Sequence, residues 1–269
     1  MAFARLEQEA WTAAPVAAAY ANGFPSMVGF TVEPLLEAVG AGAGRRMLDL
    51  ACGPGTVARM AHRRGARVTA LDFSRSMLRA AGAALPEMHA WVLGRSEQLP
   101  FRNRSFDAIA CNFGLLHFAD PERAIHEAGR LLAPGGRLAF TVWGQDAVGL
   151  RLIPEALERL GLTPSLPTGP GFFAYGAPRA FSQSFERAGL VALAEQPLAA
   201  RAPVASVDAY WRMFLEGSAR TRASLLALSE ADRERVRAEV AEGLGPYASP
   251  AGLSVPVTAV LGVAGRPAR

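Results

Sequence analysis

Apolar runs alternate with stretches of helical periodicity along most of this chain. The clearest case is residues 46–72, where the apolar run 47–51 predicts a buried strand and residues 56–62 predict a helix. A second apolar run, 67–71, predicts the next strand and ends on Asp72. A strand, a helix and a second strand in this order make up half of a nucleotide-type α/β fold.

The alternation continues beyond this unit. It predicts further strands at 89–93, 106–112, 137–143 and 191–193, and a last strand at 253–265. Because helical stretches separate most of these strands, the pattern favours a largely parallel sheet with helices on its faces.

No linker or repeat divides the chain, so residues 1–269 are predicted to form a single domain. Its parts are predicted to be N-terminal cap helices at 1–44, a core at 45–145, and lid or substrate segments at 146–180 and 203–250. The first of these lid segments is rich in glycine and proline with aromatic insertions, which favours a cover over a pocket.

A glycine-rich turn separates the first strand from the first core helix. Gly53 and Gly55 would let a ligand come close to the backbone, and the first amides of the helix would point at it. Asp72, at the tip of the neighbouring strand, is placed to accept both hydroxyls of a ribose. The turn therefore predicts a ribose-containing ligand. A dinucleotide and an adenosyl compound both fit, because Gly53-x-Gly55-x-x-Ala58 satisfies the dinucleotide fingerprint.

Two residues favour the adenosyl compound. Asp49 lies just ahead of the glycines, where a carboxylate would face a cationic amino group rather than a diphosphate. Pro54 removes one backbone donor from the turn that would otherwise cradle phosphate. The turn is therefore better suited to a cation than to a diphosphate.

On these residues the stretch resembles motif I of the class I S-adenosylmethionine-dependent methyltransferases. Later motifs follow in the family's order, with Leu-Pro-Phe at 99–101, Phe-Asp at 106–107 and Pro-Gly-Gly at 134–136. The resemblance covers about residues 45–145, and the chain looks most like the small-molecule branch that contains quinone-ring and natural-product methyltransferases. It implies S-adenosyl-L-methionine as cofactor. It also implies a doubly wound α/β fold with helical lid segments, whose seven-stranded, mostly parallel sheet has the order 3-2-1-4-5-7-6 and an antiparallel last strand.

The resemblance and the chemistry of the turn together predict the cofactor contacts. Asp72 would accept the ribose hydroxyls, Phe73 would pack on one face of the adenine, and Asp49 would face the amino group. Tyr20 lies in a predicted cap helix, where it would either cover the ligand or belong to the core. The predicted cofactor-binding residues are Tyr20, Asp49, Ala51, Gly53, Gly55, Asp72, Phe73, Met77, Ser96, Glu97 and Asn112.

The chain departs from the family pattern at Arg95. In the family this position usually holds the aspartate that binds adenine, and a guanidinium cannot accept a hydrogen bond from the adenine amino group. Either Ser96, Glu97 or a backbone carbonyl takes that contact, or the affinity for the cofactor is reduced. Ser96 with Glu97 behind it is the preferred assignment.

A candidate general base follows the fourth strand. Methyl transfer from a sulfonium needs mainly positioning, so a prominent catalytic motif is not required. His117 lies just beyond the tip of this strand, and an imidazole with an ordinary pKa of about 6.5 can accept a proton from a hydroxyl, a phenol or an acidic carbon. The alternative is that His117 only packs against the helix at Asp120 or bonds a carbonyl. Tyr175 and Tyr210, in the predicted lid segments, are secondary candidates.

Composition narrows the class of protein. The 269 residues are 51% hydrophobic, enough for a substantial core. No apolar run approaches about 18 residues, and Glu7 and Glu9 stand near the N-terminus, so we expect a cytoplasmic protein with no membrane partner. The net charge of +4 comes from arginines scattered among acids, so nucleic acid is not an expected partner. Cys52 and Cys111 have no metal-ligand spacing, which predicts small buried thiols and no metal site.

Other functions stay in competition with methyl transfer. A nicotinamide-dependent oxidoreductase is disfavoured by Asp49, Pro54 and the absence of lysine. A nucleic-acid methyltransferase should show an (Asp/Asn)-Pro-Pro-(Tyr/Phe) motif after the fourth strand, where Cys-Asn-Phe-Gly stands at 111–114 instead. A protein of this fold that binds the cofactor without transferring methyl remains open. The prediction is O- or C-methylation of a small, apolar or aromatic acceptor, with the acceptor itself and the oligomeric state left open.

Overall fold

The computed structural model describes residues 2–268, which divide into two compact units. The core unit comprises Val28–Gln145, Pro170–Leu198 and the chain from Ala259 onward. The helical unit comprises the chain up to Met27, Asp146–Gly169 and Ala199–Thr258. Residues 28–44, predicted to be cap helices, and residues 170–180, predicted to be lid, thus belong to the core unit.

Strands and helices alternate through the first half of the chain. The strands are β1 Arg46–Leu50, β2 Arg67–Asp72, β3 Trp91–Leu93, β4 Phe106–Asn112, β5 Leu132–Trp143, β6 Val191–Val204, β7 Ala248–Ser249 and β8 Gly252–Gly265. The α-helices are α1 Ala2–Thr12, α2 Ala14–Gly23, α3 Pro25–Val28, α4 Val32–Val39, α5 Thr56–Arg63, α6 Arg75–Ala84, α7 Pro121–Leu131, α8 Val148–Arg159, α9 Ala180–Arg187, α10 Val207–Gly217, α11 Arg220–Leu226 and α12 Glu230–Leu244.

The strands form one sheet in the order β3-β2-β1-β4-β5-β8-β6, and the two-residue β7 pairs with β8. Neighbours from β3 to β5 are parallel, whereas β8 runs antiparallel to β5 with Leu261 opposite Thr141. If the two-residue β7 is not counted, β8 becomes the seventh strand, and the order is the predicted 3-2-1-4-5-7-6. The predicted fold class is therefore confirmed. β6 and β8 are long strands, and each continues into the helical unit.

Helices cover both faces of this sheet, which explains why its central strands are almost wholly apolar. One buried cluster joins α4 and α5 to the sheet and includes Val32, Leu36, Met47, Val57 and Ala108. The other joins α7 and α9 to the opposite face and includes Leu48, Ile109, Ile125, Phe181 and Phe185. α4, predicted as part of the N-terminal cap, thus belongs to a helical layer of the sheet.

Two helix caps fix the loops that follow β2 and β4. At the start of α6, Ser74 Oγ accepts the Met77 N–H at 3.2 Å. At the start of α7, Asp120 Oδ1 accepts the Arg123 N–H at 2.9 Å, with Pro121 in the first turn. Both arrangements follow from the side-chain chemistry of helix N-termini.

A helix also lies within the stretch that the sequence marks as rich in glycine and proline. α8 buries Leu150, Ile153 and Leu157, whose spacing gives one apolar face. The sequence pattern does not predict this helix, because Gly149 and Pro154, both of low helix propensity, stand inside it.

An aromatic cluster organises the helical unit. Tyr20 of α2 stacks on Phe24 with ring centroids 4.9 Å apart, and Phe24 meets Phe214 of α10 edge-on at 5.4 Å. Tyr210 of α10 is fully buried, and its hydroxyl donates to the Gly149 carbonyl of α8 at 2.8 Å.

Within residues 2–268, no helix is both long enough and apolar enough to cross a membrane.

Candidate functional site

The glycine-rich turn between β1 and α5 forms the centre of the candidate site. Gly53 and Gly55 have φ angles of 52° and 81°, and Ala51 has 56°, which is uncommon for a residue with a side chain. A Cβ on Gly55 would lie 3.0 Å from the Ala81 Cβ, so this glycine lets α6 pack closely. A Cβ on Gly53 would meet no atom of the described residues within 4 Å. Gly53 therefore faces open space, where a ligand can approach the backbone.

Asp72, at the end of β2, holds this turn in place. Its Oδ2 accepts the Gly53 N–H at 2.9 Å, and its Oδ1 accepts the Ser74 N–H at 2.8 Å. Burial raises the pKa of Asp72, although these N–H donors and the nearby charge of His117 act in the opposite direction. A carboxylate can accept about four hydrogen bonds, so Asp72 keeps capacity for ligand hydroxyls.

Asp49, in β1, is a second buried carboxylate beside the turn. It is 1% exposed, and its Oδ2 accepts the Ala58 N–H of α5 at 2.8 Å. Burial is the main cause that raises the pKa of Asp49 to about 7, and the negative charge of Asp72 adds to it. Two buried acids that repel each other give this end of the turn a preference for a cation.

The tip of β3 holds the residues predicted to contact adenine. Ser96 is buried, and its hydroxyl donates to Glu97 Oε2 at 3.1 Å. Glu97 Oε1 accepts the Ala119 N–H at 3.1 Å, and its other oxygen lies 3.8 Å from the Nε of Arg95. Glu97 thus fastens the β3 tip to the loop after β4, and the guanidinium of Arg95 stays half exposed beside it.

Asn112, at the end of β4, is fixed by two hydroxyl groups. Its Oδ1 accepts from Thr31 at 2.7 Å and from Thr141 at 2.5 Å. Asn112 is among the residues predicted from the sequence, but neither threonine is. They lie 81 and 29 residues from it along the chain, and no local motif connects them.

The loop after β4 is tightly constrained. Phe113 has a φ of 53°, and its ring stacks on Trp143 of β5 with centroids 4.0 Å apart. A Cβ on Gly114 would lie 2.7 Å from the Cβ of Ala51 and from the Sγ of Cys111. Ala51 and Phe113 are thus two non-glycine residues with positive φ at the ends of adjacent strands. Such outliers concentrate at functional sites.

His117 closes the short turn Leu115–His117 that follows. Its backbone N–H donates to the Gly114 carbonyl at 2.9 Å, and its positive charge is near enough to lower the pKa of Asp72. Phe73 and Met77 follow Asp72 in the chain, and Met77 is buried in α6. The structure therefore gathers the predicted residues of the core unit at the carboxyl ends of β1, β2, β3 and β4. Tyr20 lies in the helical unit, so its contact with the cofactor stays a prediction.

The two tyrosines considered as secondary bases are both engaged elsewhere. The Tyr175 hydroxyl donates to Glu122 Oε1 at 2.7 Å, and Ser184 donates to the same oxygen at 2.6 Å. Burial and the charge of Glu122 raise the pKa of Tyr175. Burial likewise raises the pKa of Tyr210, which donates to Gly149. Neither hydroxyl is suited to accept a proton at neutral pH.

Cys52 and Cys111 are free thiols, and both are buried. Cys52 lies inside the turn at 7% exposure, and Cys111 in β4 is fully buried. Burial raises the pKa of each thiol, and the charges of Asp49 and Asp72 contribute in the same direction. In the part of the chain that the structure describes, no group of three or more His, Cys, Asp or Glu side chains is arranged to hold a metal ion.

Part of the core unit resembles a known protein family. Residues 48–140 match the family model described as a methyltransferase domain. This stretch is similar to a methyltransferase domain. Together with the strand order, the match confirms the resemblance to class I, S-adenosylmethionine-dependent methyltransferases that the sequence indicates.

The chain has curated relatives and solved neighbours. A demethylmenaquinone methyltransferase from Renibacterium salmoninarum is 33% identical over 141 residues, which are 49% of this chain and 59% of the relative. A geranyl diphosphate methyltransferase solved in complex with S-adenosylmethionine is 18% identical, with a TM-score of 0.52 over 88% of this chain and 84% of that one. A cyclase, SpnF, is 22% identical, with a TM-score of 0.53 over 88% and 81%. At these identities the structural similarity shows the fold alone.

Proposed function

We propose that this chain is an S-adenosylmethionine-dependent methyltransferase that methylates oxygen or carbon on a small, apolar or aromatic acceptor. The observation that carries the proposal is the open Gly53 turn between the buried carboxylates of Asp49 and Asp72. The similarity to a demethylmenaquinone methyltransferase supports an aromatic ring as the acceptor.

The residues around the turn fit this cofactor. Asp72 would accept the ribose hydroxyls, since the Gly53 and Ser74 N–H groups already fix its orientation. Asp49 would face the cationic amino group, and Phe73 would lie against the adenine, with Ser96 at its edge. When bound, S-adenosylmethionine supplies a methyl group on a sulfonium, which is already activated for displacement.

The chain's own contributions are positioning and proton removal. Holding an acceptor in line with the methyl group can lower the barrier by roughly 7–11 kcal/mol. His117 would accept a proton from the acceptor's hydroxyl or acidic carbon. His117 lies near enough to Asp72 for its charge to lower the pKa of that carboxyl, which places the imidazole beside the proposed ribose site.

Replacing Gly53 by alanine should weaken the binding of S-adenosylhomocysteine about tenfold, because the new methyl group would occupy the space in which the ligand approaches. Gly40→Ala is the matched control. Gly40 also has a positive φ, 65°, and also has no described atom within 4 Å of an added Cβ. Both variants should lose about 1–2 kcal/mol of stability through backbone strain. Calorimetry should show reduced binding in Gly53→Ala alone. Equal binding by the two variants would remove Gly53 from the site.

The affinity for S-adenosylhomocysteine should rise between about pH 6 and pH 8. Asp49 is protonated below its pKa of about 7, and only the ionised form attracts the ligand's amino group. The pKa of Asp49 is raised above its value of about 4 in the unfolded chain, so ionisation of this carboxyl destabilises the ligand-free fold. The free energy of unfolding should therefore fall as the pH rises from about 4 to about 7. Asp49→Asn should flatten both dependences in calorimetry and thermal unfolding. A wild-type affinity independent of pH would contradict this role.

Methyl transfer itself can be tested directly. The whole chain should be incubated with methyl-labelled S-adenosylmethionine and a panel of phenols, quinones and prenyl compounds, followed by mass analysis. Label recovered in an acceptor supports the proposal. Binding of the cofactor with no transfer to any acceptor favours the non-methylating alternative. Binding of a nicotinamide dinucleotide in place of S-adenosylmethionine in calorimetry would overturn the proposal in favour of an oxidoreductase.

A further inference from the structure

A cavity lined by basic side chains, the basic cavity, lies in the core unit away from the glycine turn. Its volume is about 230 Å³, and it is lined by Asn103, Arg104, His126, Arg130, Ala188 and Arg266. Arg104 lies just before β4. Arg266 follows β8, whose last residue, Gly265, pairs with Arg137 near the start of β5. These are the amino ends of the parallel strands, whereas the turn lies at their carboxyl ends. Since seven strand residues span roughly 20 Å, the two sites are separate.

The acceptors around the basic cavity are already used. Both oxygens of Glu127 accept from Arg130 at 2.8 Å, and Asn103 Oδ1 accepts from Arg130 at 2.6 Å. Arg130 and Glu127 therefore neutralise each other. Within residues 2–268, no hydrogen bond joins the side chain of Arg104 or of His126 to another residue, and both are exposed at the cavity. Glu127 also lies near enough to His126 for the histidine's charge to lower the pKa of Glu127. The positive charge that no ion pair balances among the described residues is therefore that of Arg104 and Arg266.

Arg266 provides an independent observation. Its Nη2 donates to the Gly129 carbonyl at 2.7 Å, and its backbone bonds Gly135 and Gly136, so the residue is held in place. Its Nε–H is buried and meets no acceptor among the described residues. A buried donor without an acceptor is rare in folded proteins, and a bound ion is one of the explanations for it.

The backbone also fixes the second arginine. Arg104 has a φ of 59°, in the left-handed region, and its N–H donates to the Arg130 carbonyl at 3.2 Å. The carbonyls at the end of α7 that would repel an anion, Gly129 and Arg130, are therefore both occupied by donors from Arg266 and Arg104. These hydrogen bonds reduce the negative potential that the end of a helix presents to an anion.

We propose that the basic cavity binds a phosphoryl oxyanion. Guanidinium groups match the geometry of phosphate oxygens, and charge-assisted hydrogen bonds are the strongest that side chains make. The volume accommodates a phosphate or a diphosphate group. The phosphoryl group is either a free anion or the headgroup of an anionic lipid. This site is independent of the proposed methyl transfer.

Thermal unfolding of the whole chain in sodium phosphate, at constant ionic strength set with chloride, tests the proposal. The midpoint of the wild type should rise with phosphate, in proportion to the logarithm of its concentration once the site is largely occupied. The double variant Arg104→Gln, His126→Gln should need about tenfold more phosphate for the same rise. The matched control Arg63→Gln, His62→Gln removes the same residue types from α5 and should respond like the wild type. Unchanged binding of S-adenosylhomocysteine will show that the variants are folded.

A rise of equal size in all three proteins would overturn the proposal in favour of a general salt effect. Sedimentation with vesicles then identifies the source of the phosphoryl group. Binding to phosphatidylglycerol mixed with phosphatidylcholine, lost in the Arg104 and His126 double variant and displaced by phosphate, supports a lipid headgroup. Phosphate binding without vesicle binding supports a free anion.

Discussion

Replacing Asp72 by alanine should lower the affinity for S-adenosylhomocysteine more than tenfold while the chain stays folded. A charge-assisted hydrogen bond to a ribose hydroxyl contributes about 1.5–3 kcal/mol, which corresponds to about 10- to 100-fold in affinity. The substitution also removes the acceptor that holds the Gly53 N–H at 2.9 Å. The turn would lose its anchor together with the ligand contact, so the effect should lie toward the upper end. Isothermal titration calorimetry measures it directly.

Two further variants make this test specific. Asp107→Ala removes a carboxylate that pairs with Arg46 in the same unit, at 2.6 Å, and it should leave the affinity unchanged. Asp72→Asn preserves the size of the side chain but sets an amide donor against the N–H of Gly53 or of Ser74. It should therefore lose nearly as much affinity as the alanine variant. If Asp72→Ala and Asp107→Ala bind equally well, Asp72 does not hold the ribose.

The second large effect is expected at His117. If its imidazole accepts the acceptor's proton, His117→Ala should lower turnover about 100-fold. The affinity for S-adenosylhomocysteine should hold within about twofold, because the imidazole is not among the proposed cofactor contacts. A loss in kcat without a loss in cofactor binding separates proton transfer from a role in building the site.

The control for this variant is His89→Ala, which removes an exposed histidine just ahead of β3. Its turnover should equal that of the wild type. The pH dependence of kcat gives a second readout, because the acidic limb expected for a histidine base should be absent in His117→Ala. Full activity in His117→Ala would assign the residue to packing against α7.

The strands and the glycine turn could be predicted because local sequence encodes them. β1, β2 and β4 each combine a short apolar run with a turn or cap at its end, and the structure reproduces them within a residue or two. β6 is different. Only 191–193 was predicted, whereas the strand extends from Val191 to Val204. As an edge strand that is exposed along much of its length, it does not need an alternating apolar pattern.

Some residues of the candidate site could likewise be predicted from local sequence, and others could not. Asp49, Gly53 and Asp72 lie within one motif, so their chemistry is visible in the sequence. The hydroxyls that fix Asn112 come from Thr31 and Thr141, and only the folded sheet brings them together. Local sequence does not reveal the left-handed backbone at Ala51 or Phe113 either, because tertiary packing imposes it.

The reactivity of the Cys52 thiol can be used to measure local opening of the glycine turn. Alkylating agents react with the thiolate rather than the thiol, and burial raises the pKa of Cys52 inside the turn. Labelling at this residue therefore records how often the turn opens, in the way that hydrogen exchange records local unfolding. Cys111, fully buried in β4, serves as a reference within the same molecule. Mass spectrometry of the two cysteine peptides can thus compare local opening of the turn with and without ligand, and no added probe is needed.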